Sequence, residues 1–152
     1  MVLVSGDVAL SPLRQTMVAL DLETTGLDFQ HDAIIEVGAL KFRGRTVLQE
    51  FSTFVNPYRP IPSLVQKLTG ITPQDVAAAP SFSTVAAELE SFVGDLPVVG
   101  HNVRFDLSFL SRGGLRFSGP PFDTQDLASV LKAKGEYSLA ALTREMGIVN
   151  RR

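Results

Sequence analysis

The chain has no cysteine among its 152 residues, which excludes both a disulfide framework and a thiolate-held zinc site. No apolar run approaches the roughly 18 residues that a membrane-crossing helix needs. The first residues, Met1-Val2-Leu3-Val4-Ser5-Gly6-Asp7, lack the basic region and long apolar stretch of a secretory signal. These absences make the expected location cytoplasmic, with no membrane partner. No strand pattern is followed by G-x-G-x-x-G, so the dinucleotide-binding fingerprint is missing too. An excess of either charge is also lacking: 14 basic and 16 acidic residues leave a formal net charge of −2. A protein that grips long stretches of duplex carries a basic footprint. Any nucleic-acid contact here is therefore expected to be short or local, bridged by metal ions or helped by other domains.

What is present is enough apolar material for a core. Hydrophobic residues make up 45% of the chain and the mean hydropathy is +0.17, a balance typical of folded globules. The length suits one domain. Residues 1 to 15 are weakly patterned and broken by Ser11-Pro12, which predicts a loose N-terminal arm ahead of a domain over 16–152.

The informative stretch is Met17-Val18-Ala19-Leu20-Asp21-Leu22-Glu23-Thr24-Thr25-Gly26. An apolar strand pattern ends in two carboxylates one residue apart. Side chains alternate across a strand, so Asp21 and Glu23 share a face while Leu22 points into the core. Adjacent carboxylates repel and are costly to bury without a positive partner. Oxygen-only ligands favour magnesium or manganese. The plainer reading is a pair of solvated acids before a Thr-Thr-Gly turn.

Further strand patterns run over 33–43 and 46–55, joined by Arg43-Gly44-Arg45, and with the first they predict an antiparallel three-stranded meander. Then come helices over 63–70, from Ser81 or Ser83 to Phe92, over 103–110, from Asp123 or Thr124 through Lys134, and from Ser138 to Met146. A turn over 71–76 and short strands at 97–99 and 122–124 separate them. Val85, Leu89 and Phe92 are expected on one inward stripe, and Leu127, Val130 and Leu131 on another. The order predicts an α/β fold: a mixed sheet, antiparallel first and parallel later, covered by helices. Ligands of such sheets gather at the carboxyl ends of central strands, where Asp21 and Glu23 lie.

The second informative stretch is Gly100-His101-Asn102-Val103-Arg104-Phe105-Asp106. Gly100 allows a sharp turn off the strand, Asn102 is suited to cap the following helix, and Asp106 interrupts an otherwise apolar face. Its carboxylate either looks back towards the strand end or merely favours the helix dipole.

Taken together, Asp21-Leu22-Glu23-Thr24-Thr25-Gly26, Leu68-Thr69-Gly70-Ile71-Thr72, Gly100-His101-Asn102 and Phe105-Asp106 resemble the DEDD exonuclease superfamily, most closely its proofreading, epsilon-like members of bacterial DNA polymerase III. The resemblance covers residues 16 to 148. It implies a ribonuclease H-like fold and metal-dependent 3′ to 5′ exonuclease chemistry with two magnesium or manganese ions. It also implies the 3′ end of single-stranded DNA as substrate, and a polymerase or helicase as partner. By motif, Asp21, Glu23 and Asp106 correspond to three of the family's four metal-binding acids, and serve as catalytic residues. Thr24, Leu68, Thr69, His101, Asn102 and Phe105 fall around the terminal nucleotide, although Phe105 also reads as core and Thr24 as a turn residue.

One part of the family pattern is missing. The resemblance implies a histidine and a fourth acid spaced H-x(4)-D soon after Met146-Gly147-Ile148, but no histidine follows His101 and no aspartate follows Asp126. The expectation is a domain cut short before its last helix and weak or inactive alone, since a general base contributes roughly 10²–10⁴ in rate. Two alternatives stand beside the DNA exonuclease: an exoribonuclease of the same superfamily, and a non-catalytic module that binds a 3′ end or docks on a polymerase or helicase.

Overall fold

Strand β1, Thr16–Thr24, is the axis of the sheet. The computed structural model describes residues 15–132 and 135–148; the arm expected over 1–15 falls outside them except for Gln15, as does the helix end expected at Lys134. Along β1, Val18, Leu20, Leu22 and Thr24 are buried, while Met17, Ala19 and Glu23 are half-buried and Asp21 is exposed. This is the period-two pattern of a strand with one face on a core.

Strands β2, Ile34–Arg43, and β3, Thr46–Phe54, complete the antiparallel meander. On the other side of β1, the short strands β4, Val98–Gly100, and β5, Pro121–Asp123, add in parallel. The sheet order is β3-β2-β1-β4-β5, the mixed sheet expected from the sequence. Helices α1, Ser63–Thr69, and α2, Pro73–Ala77, follow the meander. Helix α3, Phe82–Val93, leads into β4, and α4, Val103–Arg112, leaves it. Helices α5, Thr124–Leu131, and α6, Leu139–Glu145, come last. Among the described residues no helix is long and apolar enough to cross a membrane.

The main core joins Val18, Leu20 and Leu22 of β1 to α3 and α4. Each such aliphatic side chain contributes about 1.5–3 kcal/mol when fully buried. A smaller cluster of Ile35, Ile61, Ile71 and Val76 seats α1 and α2 against β2.

Two inward stripes differ from expectation. In α3 the buried set is Val85, Leu89 and Val93; the ring of Phe92 instead lies 5.6 Å from that of Phe51, with Lys41 Nζ 4.8 Å from its centroid. In α5, Leu127, Val130 and Leu131 are 58%, 82% and 74% exposed, and Ala128 is the buried residue. The cause is position. β5 is a three-residue strand at the border of the sheet, and among the described residues no apolar layer faces that stripe. Periodicity shows that a stripe is apolar, and the neighbouring layer decides whether it is buried.

Candidate active site

The odd-numbered side chains of β1 carry Asp21 and Glu23 on the face away from the main core. The ladder adds a third acid, because Glu23 stands directly opposite Glu36 of β2. Like charges in that relation are destabilising in water alone. Sequence reasoning missed Glu36, since cross-strand register is not visible in a single strand's pattern.

Beyond Glu23 the chain turns through Thr24, Thr25 and Gly26. Thr24 Oγ1 donates to the Gly26 carbonyl at 2.6 Å. Thr25 Oγ1 donates to Asp32 at 3.0 Å and accepts from the Ala33 amide. A side chain at Gly26 would meet the Asp32 carboxylate at 2.4–2.7 Å, so only glycine lets this brace close. Thr24 is buried, and its hydroxyl is committed to the turn.

Asp106 reaches the same strand end from α4. The amides of alternate β1 residues face β4, as Val18 N donating to Pro97 O shows. Pairing with β4 stops at Ala19 opposite Val99. The Leu22 amide therefore lies past the end of that ladder, and a buried amide needs an acceptor. Asp106 Oδ1 supplies it at 3.0 Å. This places the Asp106 carboxylate at the residue between Asp21 and Glu23.

Asp106 is 3% exposed. Burial, and then the nearby negative charges of Asp21 and Asp123, push its carboxyl up to about 7 against the opposing pull of the Leu22 and Asp106 amides. A carboxyl kept partly protonated by its surroundings is one whose ionised form a cation would favour. Hard oxygen donors suit magnesium or manganese. Among the described residues, however, no group of three or more His, Asp or Glu side chains is placed to hold a metal ion.

The elbow from β4 into α4 is tight. A side chain at Gly100 would meet Val103 Cγ2 at 2.7 Å and the Leu20 carbonyl at 3.2 Å. The glycine is needed for this close approach. Asn102 follows in the left-handed region, φ 58° and ψ 44°, and its side chain makes no capping bond. The cap expected from Asn102 is supplied instead by Asp123, whose Oδ1 accepts from Asn102 N at 3.0 Å and whose Oδ2 accepts from Val103 N at 2.9 Å. A left-handed residue at this position has turned away from the extended backbone that a side-chain cap uses.

His101 is half-buried beside this elbow. Thr124 Oγ1 lies 3.1 Å from the Gly100 carbonyl and 3.0 Å from His101 Nδ1. The single hydroxyl proton goes to the carbonyl, which can only accept, so Nδ1 carries the hydrogen. Nε2 then presents a buried lone pair with no partner among the described residues. A groove of about 460 Å³, lined by Ala19, Leu40, Val99 and Leu139, contains both Asp21 and His101.

The structure thus brings Asp21, Glu23, Asp106, His101 and Asn102 to the carboxyl ends of β1 and β4. Phe105, one position before Asp106, is half-buried, with its ring 5.0 Å from that of Phe109. Leu68 and Thr69 stand apart on α1. Leu68 is exposed, and the Thr69 hydroxyl donates to Val65 O and accepts from Ile71 N. His31 is exposed and paired with Asp28 at 2.7 Å. Glu145 is exposed and paired with Lys132.

The sequence profile of an exonuclease family matches residues 18–152. The chain is 36% identical over 141 residues to the DNA polymerase III subunit epsilon of Aquifex aeolicus, covering 89% of this chain and 70% of that one. It is 37% identical over 123 residues to the PolC-type DNA polymerase III of Bacillus cereus, covering 78% of this chain and 9% of that relative. The chain thus spans about a tenth of the length of the PolC-type relatives. Among solved structures, exonuclease X in complex with 5′ overhanging duplex DNA matches with a TM-score of 0.72 at 26% identity, over 86% of this chain and 73% of that one. Exonuclease I matches with a TM-score of 0.76 at 21% identity, over 90% of this chain and 38% of that one. The second likeness is one of fold, a ribonuclease H-like mixed sheet.

Proposed function

We propose that this chain, which belongs to the exonuclease family, is the 3′ to 5′ DNA exonuclease domain of a proofreading or repair enzyme and releases nucleoside monophosphates. The domain occupies residues 16–152. One observation carries the reading. Asp106 of α4 is hydrogen-bonded to the backbone of the residue between Asp21 and Glu23, which brings it to the strand end that carries both acids, near enough for the charge of Asp21 to act on it. The subunit epsilon and PolC-type relatives favour DNA over RNA as substrate, and a replicative polymerase as the partner.

Dependence on divalent metal is general in this family. We assign Asp21, Glu23 and Asp106 as the residues that would hold two magnesium or manganese ions. The chemistry such ions supply is activation of water and neutralisation of charge on the leaving oxygen. The chain's own residues do the rest. Asn102 presents an exposed amide at the elbow, where a terminal nucleotide would lie. His101 offers Nε2 as an acceptor beside Asp21. Phe105 adds half-buried apolar surface at the same end, whereas Thr24 braces the turn behind Glu23. Leu68 and Thr69 of α1 would meet substrate only from outside the acid cluster. The buried Leu22 amide holds Asp106 in place before substrate arrives, so its position is not set by the ligand.

The test is magnesium- and manganese-dependent shortening of a 5′-labelled single-stranded DNA, run beside the same sequence in RNA. The expected result is slow stepwise loss from the 3′ end of DNA, weak because no histidine follows His101 and no aspartate follows Asp126, and abolished by Asp21→Ala. Faster shortening of RNA would make the chain an exoribonuclease. Retained binding of a 3′ end with no cleavage under either metal would make it a binding module.

A further inference from the structure

We propose that Asp123 is a positioning residue for this site, clamping the β4–α4 elbow so that Asp106 stays on the Leu22 amide. The proposal deepens the exonuclease reading, and its kinetic half rests on that reading. The observation is a carboxylate shared between two helices. Oδ1 accepts from Gln125 N at 2.9 Å and, more loosely, from Asp126 N at 3.5 Å, as an N-cap of α5 does. The two oxygens also take Asn102 N and Val103 N at the start of α4. The first amides of a helix have no partner inside it, so one side chain closes two helix ends that are far apart in sequence.

The adjacent Thr124 reinforces the clamp. Its hydroxyl donates to the Gly100 carbonyl and receives His101 Nδ1. Residues 100 to 103 are thus all held by one dipeptide at the junction of β5 and α5. Burial would raise the Asp123 carboxyl, but the amides of Gln125, Asn102, Asp126 and Val103 outweigh it and hold the group below the usual carboxylate range. The clamp is therefore ionised throughout the neutral range.

The link to the chemistry is one turn of helix. Asp106 lies three residues beyond Val103. The far half of α4 is anchored independently by Phe109 and Leu110 in the main core. Its first turn is held by Val103, by Phe105 packed partly against the core, and by Asp123. Asn102 sits in a left-handed conformation that costs free energy unless its surroundings enforce it, and Asp123 takes its amide. Loss of the clamp therefore frays the segment that carries Asp106 and leaves the rest of α4 seated.

Native-state amide exchange tests this without any need for activity. The readout is the Leu22 amide, which contacts Asp106 and not Asp123, compared with the Val18 amide in the same strand. In Asp123→Asn the Leu22 amide is expected to exchange roughly tenfold faster relative to Val18. Asp123→Ser keeps a cap for α5 yet cannot reach α4, so it should give the same ratio with smaller loss of stability. Ser138→Ala, which removes a cap on α6, controls for general weakening and should leave the ratio unchanged. An unchanged ratio in both Asp123 variants would reduce Asp123 to a structural cap and overturn the proposal. On single-stranded DNA with magnesium, both variants should lose roughly tenfold in kcat with little change in KM, the pattern of a displaced reacting group. If the unmodified chain cuts neither DNA nor RNA, the exonuclease reading fails, while the exchange ratio still decides whether Asp123 holds Asp106.

Discussion

At the scale of single residues, Asp106 has the most consequence for behaviour in solution. Its carboxyl is raised to about 7 in the fold, so the native state binds a proton more tightly than the unfolded chain does. The sign follows by linkage: as pH rises from about 4 to 7, this group costs the metal-free protein stability. The span is worth on the order of 4 kcal/mol at most. Urea unfolding in chelator at pH 5 and pH 8 should show the unmodified chain weaker at pH 8. Asp106→Asn should be nearly level across that interval and the more stable of the two at pH 8. An equal slope in both would mean that the acid is not the source.

Among the elements, α3 and α5 are both amphipathic helices, yet only α3 is covered. Leu89→Ala is expected to lower stability by about 2–5 kcal/mol through the lost burial and the cavity it leaves. Val130→Ala in α5 should change it by less than about 0.5 kcal/mol, as equilibrium denaturation would show. The contrast marks what the sequence could reveal. Positions of strands and helices were legible because periods of two and 3.6 residues are local. The face that finds a neighbour is not local, and so Leu127, Val130 and Leu131 came out exposed. Asn102 misled for a related reason, since a good capping residue in the left-handed region cannot cap. Asp123 was readable as the cap of its own helix. Its second helix required the parallel pairing of β4 with β5, which no short pattern encodes. Asp21, Glu23 and Asp106 were legible because acids inside apolar patterns stand out without any knowledge of register.

For the whole molecule, the sheet gathers acids from two distant segments at one end, and the cost of that crowding should depend on what is bound. Magnesium or manganese at about a hundred times its dissociation constant is expected to raise stability by about 2.7 kcal/mol, read as a higher unfolding temperature. Asp21→Ala should abolish the rise, while chelated samples of both proteins differ little. No rise with either metal would remove the metal-binding assignment of Asp21, Glu23 and Asp106. Strand β1 carries a further consequence. Its even positions supply the core and its odd positions supply the acids, so the two functions are interleaved in one reading frame. A substitution disturbs one of them at a time. Insertion or deletion of a single residue between Thr16 and Asp21 would exchange them, sending carboxylates inward and leucines outward. The strand should therefore accept changes of letter far more readily than changes of length.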